Sequence, residues 1–217
     1  MRKSKVRITQ SLLSSFEWAF RKDDGYDSFL KALSREKEPP TKAMLDGIRY
    51  ENVLNNVLNG ETIPEDHEWY KPVTEMAAEL DGAQQQVTLF AETQIENQIF
   101  LLHGVLDYLR EGHIWDCKFS KTYHLNKYLW EYTPQTSMYL ALVPEARDFT
   151  YIVSDGKYVY RERYPREIVP PIEPRIKNFV DFCKKQGLWK TYIEKWSVKN
   201  RVFGMDSTEK KKNAKAP

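Results

Sequence analysis

Asp107, Asp116 and Lys118 are the residues of this chain best placed to do chemistry together. They lie in Gly104-Val-Leu-Asp107-Tyr-Leu-Arg-Glu-Gly-His-Ile-Trp-Asp116-Cys-Lys118. There an apolar, partly β-branched run precedes the turn signal Glu111-Gly112, and an extended pattern resumes at His113. With that turn, Arg110 faces His113, and counting outward sets Asp107 opposite Asp116. Facing strand residues have Cβ atoms about 5 Å apart, a span one divalent cation can bridge, and like charges in that relation otherwise destabilise a hairpin. Lys118 follows Asp116 by two residues and so shares its face. Two carboxylates and an ammonium are the equipment of metal-assisted phosphodiester hydrolysis. A D-x-K triplet on a solvated strand would mean little, but the flanks Phe100-Leu101-Leu102 and Ile114-Trp115 predict central strands.

A third carboxylate is expected from a helix. Thr41 is a good N-cap, and Lys42 to about Leu58 carries Met44, Ile48, Leu54 and Leu58 at three- and four-residue steps. At 100° per residue, Glu51 falls within about 20° of both Met44 and Leu58, in the middle of that apolar face. A buried carboxylate costs several kcal/mol unless it is paired or binds a metal, so Glu51 calls either for a buried Arg or Lys or for a cation. Gly47, one turn earlier, would let the helix come close to a sheet. Further on, Thr133-Pro134 is a strong helix start, and the helix it opens puts Gln135 and Tyr139 on one face. Taken alone, that pair reads as an ordinary polar helix edge.

The elements that must position these residues are helices near 10–22, 25–34, 42–59, 68–81, 122–131, 134–143 and 174–196, and strands near 84–95, 99–109, 113–119, 148–154 and 157–163. The last two strands flank the turn signal Asp155-Gly156. At 217 residues, 41% of them hydrophobic, the chain can bury a sizeable core. A single domain over 1–205 is expected, followed by a disordered Lys-rich tail over 206–217. Two cysteines and no secretory signal predict a reduced, intracellular, cytoplasmic protein. No run reaches a membrane span, and no Walker A sequence supplies a motor. The net charge of +2 hides an asymmetry: residues 44–99 hold 2 Lys/Arg against 11 Asp/Glu, and 157–201 hold 12 against 5. The basic second half carries Tyr158, Tyr160, Tyr164, Trp189, Tyr192 and Trp196, which suit either base stacking along a nucleic-acid strand or the buried face of a C-terminal helix pair; core packing is the expectation for these rings.

Taken in order, Gly47-x-x-x-Glu51, Gly104-x-x-Asp107, Asp116-x-Lys118 and Gln135-x-x-x-Tyr139 resemble the PD-(D/E)XK nuclease superfamily, in its RecB-like and phage (lambda-type) exonuclease-like branch. The resemblance spans about residues 9–143 and includes an opening helix with the stripe Leu12, Leu13, Phe16, Ala19 and Phe20. It implies an α/β, restriction-endonuclease-like core, a mixed central sheet flanked by helices. It also implies that Glu51, Asp107, Asp116 and the backbone carbonyl of Cys117 bind Mg²⁺ or Mn²⁺. Lys118 would activate the attacking water or stabilise charge, and Gln135 and Tyr139 would support the site or touch the DNA. Leu106 stands where the family name has Pro. Glu51 stands where many relatives have a His ligand, which favours the exonuclease variant. The iron-sulfur cluster of some relatives needs four cysteines; with only Cys117 and Cys183, no cluster is expected. Cys117 should point to the opposite strand face as a small core residue.

The sequence thus predicts a Mg²⁺- or Mn²⁺-dependent deoxyribonuclease, an exonuclease of recombination, repair or phage DNA processing, with DNA as partner. A homo-oligomer or a recombination partner protein stays open. The alternatives are a structure-specific or nicking endonuclease, and a non-catalytic nucleic-acid-binding or accessory subunit on the same fold.

Overall fold

The computed structural model of the chain describes residues 5–21, 23–129 and 131–198. The expected tail over 206–217 and the expected domain end at 205 lie outside the described residues. A mixed sheet forms the centre, from strands β1 (Val6–Thr9), β2 (Gln84–Ile95), β3 (Gln98–Arg110), β4 (His113–Phe119), β5 (Asp148–Ser154) and β6 (Val159–Pro165). Its order is β1-β3-β4-β5-β6, with β2 also paired to β3. The β1/β3 and β4/β5 pairs are parallel; the β2/β3, β3/β4 and β5/β6 pairs are antiparallel. The helices are α1 (Gln10–Trp18), α2 (Gly25–Leu33), α3 (Lys42–Leu58), α4 (Tyr70–Leu80), α5 (Gln135–Leu142), α6 (Glu173–Lys185) and α7 (Trp189–Trp196). This is an α/β architecture with a central mixed sheet flanked by helices, as expected.

Two cores cover the two faces. The larger holds Leu12, Leu13, Phe16, Phe29, Leu106, Met138, Phe149, Phe179 and Tyr192, from α1, α2, α5, α6, α7 and the sheet. The smaller, under α3 and α4, holds Tyr50, Leu54, Trp69, Val73, Met76, Tyr108, Trp115 and Ile152. Burying one such large side chain contributes about 1.5–3 kcal/mol. The ring preference for core packing holds for Tyr192 and Tyr164, which are buried, and for Trp189 and Trp196, packed against the larger core. Tyr158 instead is 65% exposed.

Several expectations need correction. The run Val6–Thr9 is a strand, paired in parallel with Phe100–His103; four residues give too short an alternation to register against the helix that Thr9 caps. Its outer edge is held by α7 and the residues just after it, through Val198 N–H to Lys5 O and Tyr192 hydroxyl to Arg7 O. The first helix ends at Trp18, and Phe20, expected in its stripe, is 61% exposed. The expected helix over 174–196 is two helices, broken where Gly187 takes a φ of +70°, a conformation that glycine adopts without strain. No helix forms over the described residues of 122–131. That segment is pinned by the buried Glu162 carboxylate, which accepts from the Tyr123 hydroxyl and the Tyr128 N–H, and Asn126 turns left-handed within it. In α3, Met44 and Ile48 are 58% and 51% exposed, and the buried residues are Tyr50 and Leu54. Tyr50 packs on the rings of Trp69 and Phe119, and these aromatics override the aliphatic spacing in setting the helix's rotation.

Candidate active site at the fork of the sheet

The chemistry-bearing residues meet where the sheet splits. Along one edge β3 pairs with β2 over almost its whole length; along the other, β1 takes Phe100–His103 and β4 takes only Tyr108–Arg110. The turn at Glu111-Gly112 has both φ values positive, +49° and +79°, the backbone that a tight two-residue hairpin requires. Arg110 faces His113 as expected, but the ladder ends at Tyr108↔Trp115, one pair short of Asp107 and Asp116. Asp107 does not complete the pairing: its Oδ2 accepts from the backbone N–H of Cys117 at 3.0 Å. The side chain thereby bridges the opening strands.

The fork also lets groups from both sheet faces meet. In a regular strand, residues i and i+2 share a face, yet Leu106 lies in the larger core and Tyr108 in the smaller. The swap coincides with Gln86 on β2, which faces Asp107 in the register between Gln85↔Tyr108 and Val87↔Leu106 and takes a φ of +51°. For a non-glycine residue such a backbone costs about 1–2 kcal/mol. Glu51 approaches from the α3 face, half-buried at the margin of its helix's apolar face, and its Oε1 accepts from Gln86 Nε2 at 2.9 Å. Asn55, one turn on, accepts from the Tyr108 hydroxyl at 2.7 Å and ties α3 to β3 beside Asp107. Gly47 has open space around it, so its expected role in a close helix approach is not realised.

Asp116 and Lys118 face the α5 side. Asp116 is 2% exposed; its Oδ1 accepts from Gln135 Nε2, and its Oδ2 is in ion-pair contact with the Lys118 ammonium. No aligned hydrogen bond reaches that fully buried Oδ2. Tyr151, beside Asp116 in the β4/β5 register, places its ring 5.8 Å from Lys118 Nζ. Its hydroxyl lies 3.4 Å from Gln135 Oε1. Gln135 opens α5, and its N–H donates to the Thr133 hydroxyl; the N-cap position itself falls on Pro134, one residue later than expected. Tyr139 is buried and donates to the Val105 carbonyl at 2.8 Å; it supports the strand and does not face solvent. The glycine that matters here is Gly104, where a Cβ would come within 2.6 Å of Leu142 and 3.0 Å of Tyr139. Its lack of a side chain lets α5 lie on β3.

The electrostatics follow from this crowding. Burial, then repulsion from Asp116 and Glu51, pushes the Asp107 carboxyl up to about 8 against the pull of Lys118 and the Cys117 N–H. Glu51 is raised for the same reasons, burial first and Asp116 second, with Lys118 and Gln86 opposing. Burial works against the charge of Lys118, but Asp116 and Asp107 outweigh it and hold the ammonium above the usual lysine range. Cys117 packs its side chain with the smaller core, as expected, and burial pushes its thiol up. Among the described residues no three His, Cys, Asp or Glu side chains converge as a ready cation cage, because Asp107 is drawn to Cys117 N–H, Asp116 to Gln135 and Lys118, and Glu51 to Gln86. The donor set nonetheless suits a hard divalent cation: three carboxylates of raised or crowded charge, and one buried carboxylate oxygen without a hydrogen bond.

Gln86, Asn55 and Tyr151 were not predicted from the sequence. The run Gln84-Gln85-Gln86 gives no periodic signal, and a polar residue on a strand reads by default as solvated.

No family model matches the chain, and no curated protein does. Among solved structures, the protein SSO0001 is similar at 18% identity with a TM-score of 0.50, over 84% of this chain and 79% of that one. Rai1 of Scheffersomyces stipitis, solved with (3'-NADP)+ and calcium ion, is 17% identical with a TM-score of 0.27, over 82% of this chain and 52% of that one. The first likeness is one of fold; the second is too slight to argue from. No helix among the described residues is long and apolar enough to cross a membrane.

Proposed function

We propose that this chain is a divalent-metal-dependent deoxyribonuclease of the PD-(D/E)XK type, acting as an exonuclease in recombination, repair or phage DNA processing. The observation that carries the reading is that Glu51, Asp107, Asp116 and Lys118 lie near enough at one fork to act on one another's charge, with Asp116 buried and its Oδ2 held by the Lys118 ammonium alone. A structural ion pair has no use for two further carboxylates repelling it, whereas a cation site does.

In this reading Glu51, Asp107 and Asp116, with the Cys117 carbonyl, hold Mg²⁺ or Mn²⁺, and the hard oxygen donors select these over softer metals. When bound, the ion polarises the phosphodiester and lowers the pKa of water. Gln135 fixes Asp116 through Oδ1 and leaves Oδ2 facing Lys118. Lys118 stands as an ammonium placed to offset charge on the transition-state oxygens. Tyr139 and Gly104 keep α5, and with it Gln135, seated on β3. Exonuclease action is preferred to nicking because Glu51 stands where the phage-exonuclease-like branch also has an acid.

The test is incubation of the protein with end-labelled linear duplex, linear single strand and closed circular DNA, in Mg²⁺, Mn²⁺ or EDTA, beside Asp116→Ala. Metal-dependent loss of the linear substrates alone, absent in the variant, is the expected result. Cutting of the circle would move the reading to an endonuclease. Binding without cleavage in every metal would sink it in favour of an accessory subunit.

A further inference from the structure

Five described non-glycine residues have positive φ. Arg35, Glu96, Glu111 and Asn126 lie in turns; Gln86 lies inside a strand. Its neighbours Gln85 and Val87 both pair with β3, and it faces Asp107 across the one step of that stretch where no pair forms. On either side of this step the strands change face: Ala83 and Tyr108 pack with the smaller core, Val87 and Leu106 with the larger. The same residue donates its side-chain amide to Glu51 Oε1. A strained backbone persists where the surrounding structure over-determines it, and such positions cluster at working sites.

We propose that Gln86 is a positioning residue for the cation-binding carboxylates, acting in two separable ways. Its left-handed backbone keeps Asp107 out of the sheet ladder and free to turn into the fork. Its amide holds Glu51, which arrives from the opposite face of the sheet. The proposal rests on the metal-site reading above and adds to it a residue outside the four motifs. Partners of this kind, which orient a ligand without touching the ion, typically change metal affinity about 10- to 100-fold when removed.

Two variants divide the roles. Q86G keeps the positive φ without strain and deletes the amide; Q86A deletes the amide and keeps the strain. Mn²⁺ binding is measured by calorimetry without DNA, and metal-free stability by thermal melting. The expected result is that both variants bind Mn²⁺ about tenfold more weakly than wild type, while Q86G melts at least as high as wild type and above Q86A. Weaker binding in a protein no less stable is a result that a merely structural role would not give. Wild-type Mn²⁺ affinity in Q86G overturns the amide role, and Q86G melting below Q86A overturns the backbone role, each leaving the nuclease reading standing. Absence of Mn²⁺ binding by the wild type overturns the metal-site reading and the proposal with it.

Discussion

Two buried aspartates on neighbouring strands, Asp148 and Asp116, have opposite surroundings. Asp148, 3% exposed at the start of β5, has His113 Nδ1 at 2.8 Å from one oxygen and Arg163 at 2.7 Å from the other. Burial works to raise its pKa, but the hydrogen bonds from Arg163 and His113 outweigh it and hold the carboxyl below the usual range. At the fork, Asp116 is as deeply buried and meets Gln135 on one oxygen and the Lys118 ammonium on the other, but it has two further carboxylates as neighbours, Asp107 and Glu51, and both are pushed upward. One arrangement closes a strand end with a cationic or imidazole partner on each carboxylate oxygen. The other gathers three carboxylates about one ammonium, so two of them are held upward. Burial alone therefore says little about function; the balance of partners does.

The largest effect expected from breaking this contrast is on activity. Asp116→Asn should abolish metal-dependent cleavage while circular dichroism stays native, whereas Asp148→Asn should cleave at the wild-type rate. The reverse outcome in the nuclease assay would remove the site from the fork. Next, Gln135→Ala, which leaves Asp116 Oδ1 without its donor, should lower cleavage or metal affinity about 10- to 100-fold, read from rate against Mg²⁺ concentration. On stability Asp148 and Asp107, the fork's raised carboxyl, should part. Asp148→Ala should cost about 1–3 kcal/mol in denaturant unfolding, the usual penalty for leaving buried partners unsatisfied.

Asp107→Asn should do the opposite. Its carboxyl is raised to about 8, so above about pH 4 the unfolded chain has given up a proton that the native state retains. Stability then falls as pH rises from about 4 to about 8. The asparagine should remove that slope, raising metal-free stability at pH 8 by on the order of 2 kcal/mol, and Mn²⁺ should raise the wild-type melting temperature more at pH 8 than at pH 5. Asp148, with its lowered pKa, gives the other sign: its contribution is complete above about pH 4 and is lost as pH falls toward its own pKa. A melting series showing no pH slope between 4 and 8 would contradict the crowding at the fork. The smallest effect concerns Glu51→Gln, which should weaken metal binding while raising metal-free stability slightly, because a half-buried raised carboxyl becomes neutral.

The sequence by itself determined the parts that short-range rules govern. The hairpin turn at Glu111-Gly112, the Thr41 cap, the shared face of Asp116 and Lys118, and the inward side of Cys117 all follow from two-residue alternation, φ preferences and local hydrogen bonds. Only tertiary structure decided the rest. The rotation of α3 was set by Tyr50 against Trp69 and Phe119, residues distant in sequence, and so Met44 and Ile48 were left outside. The segment over 122–131 forms no helix among its described residues, and it is pinned by a carboxylate, Glu162, supplied from β6. The register that should have joined Asp107 to Asp116 stops at Tyr108↔Trp115, and on the far side of β3 Gln86 takes a left-handed backbone at the step facing Asp107. Alternation fixes which way a side chain points only while the strand stays regular; where the sheet forks, the direction depends on what the neighbouring strands and helices bring to the opening.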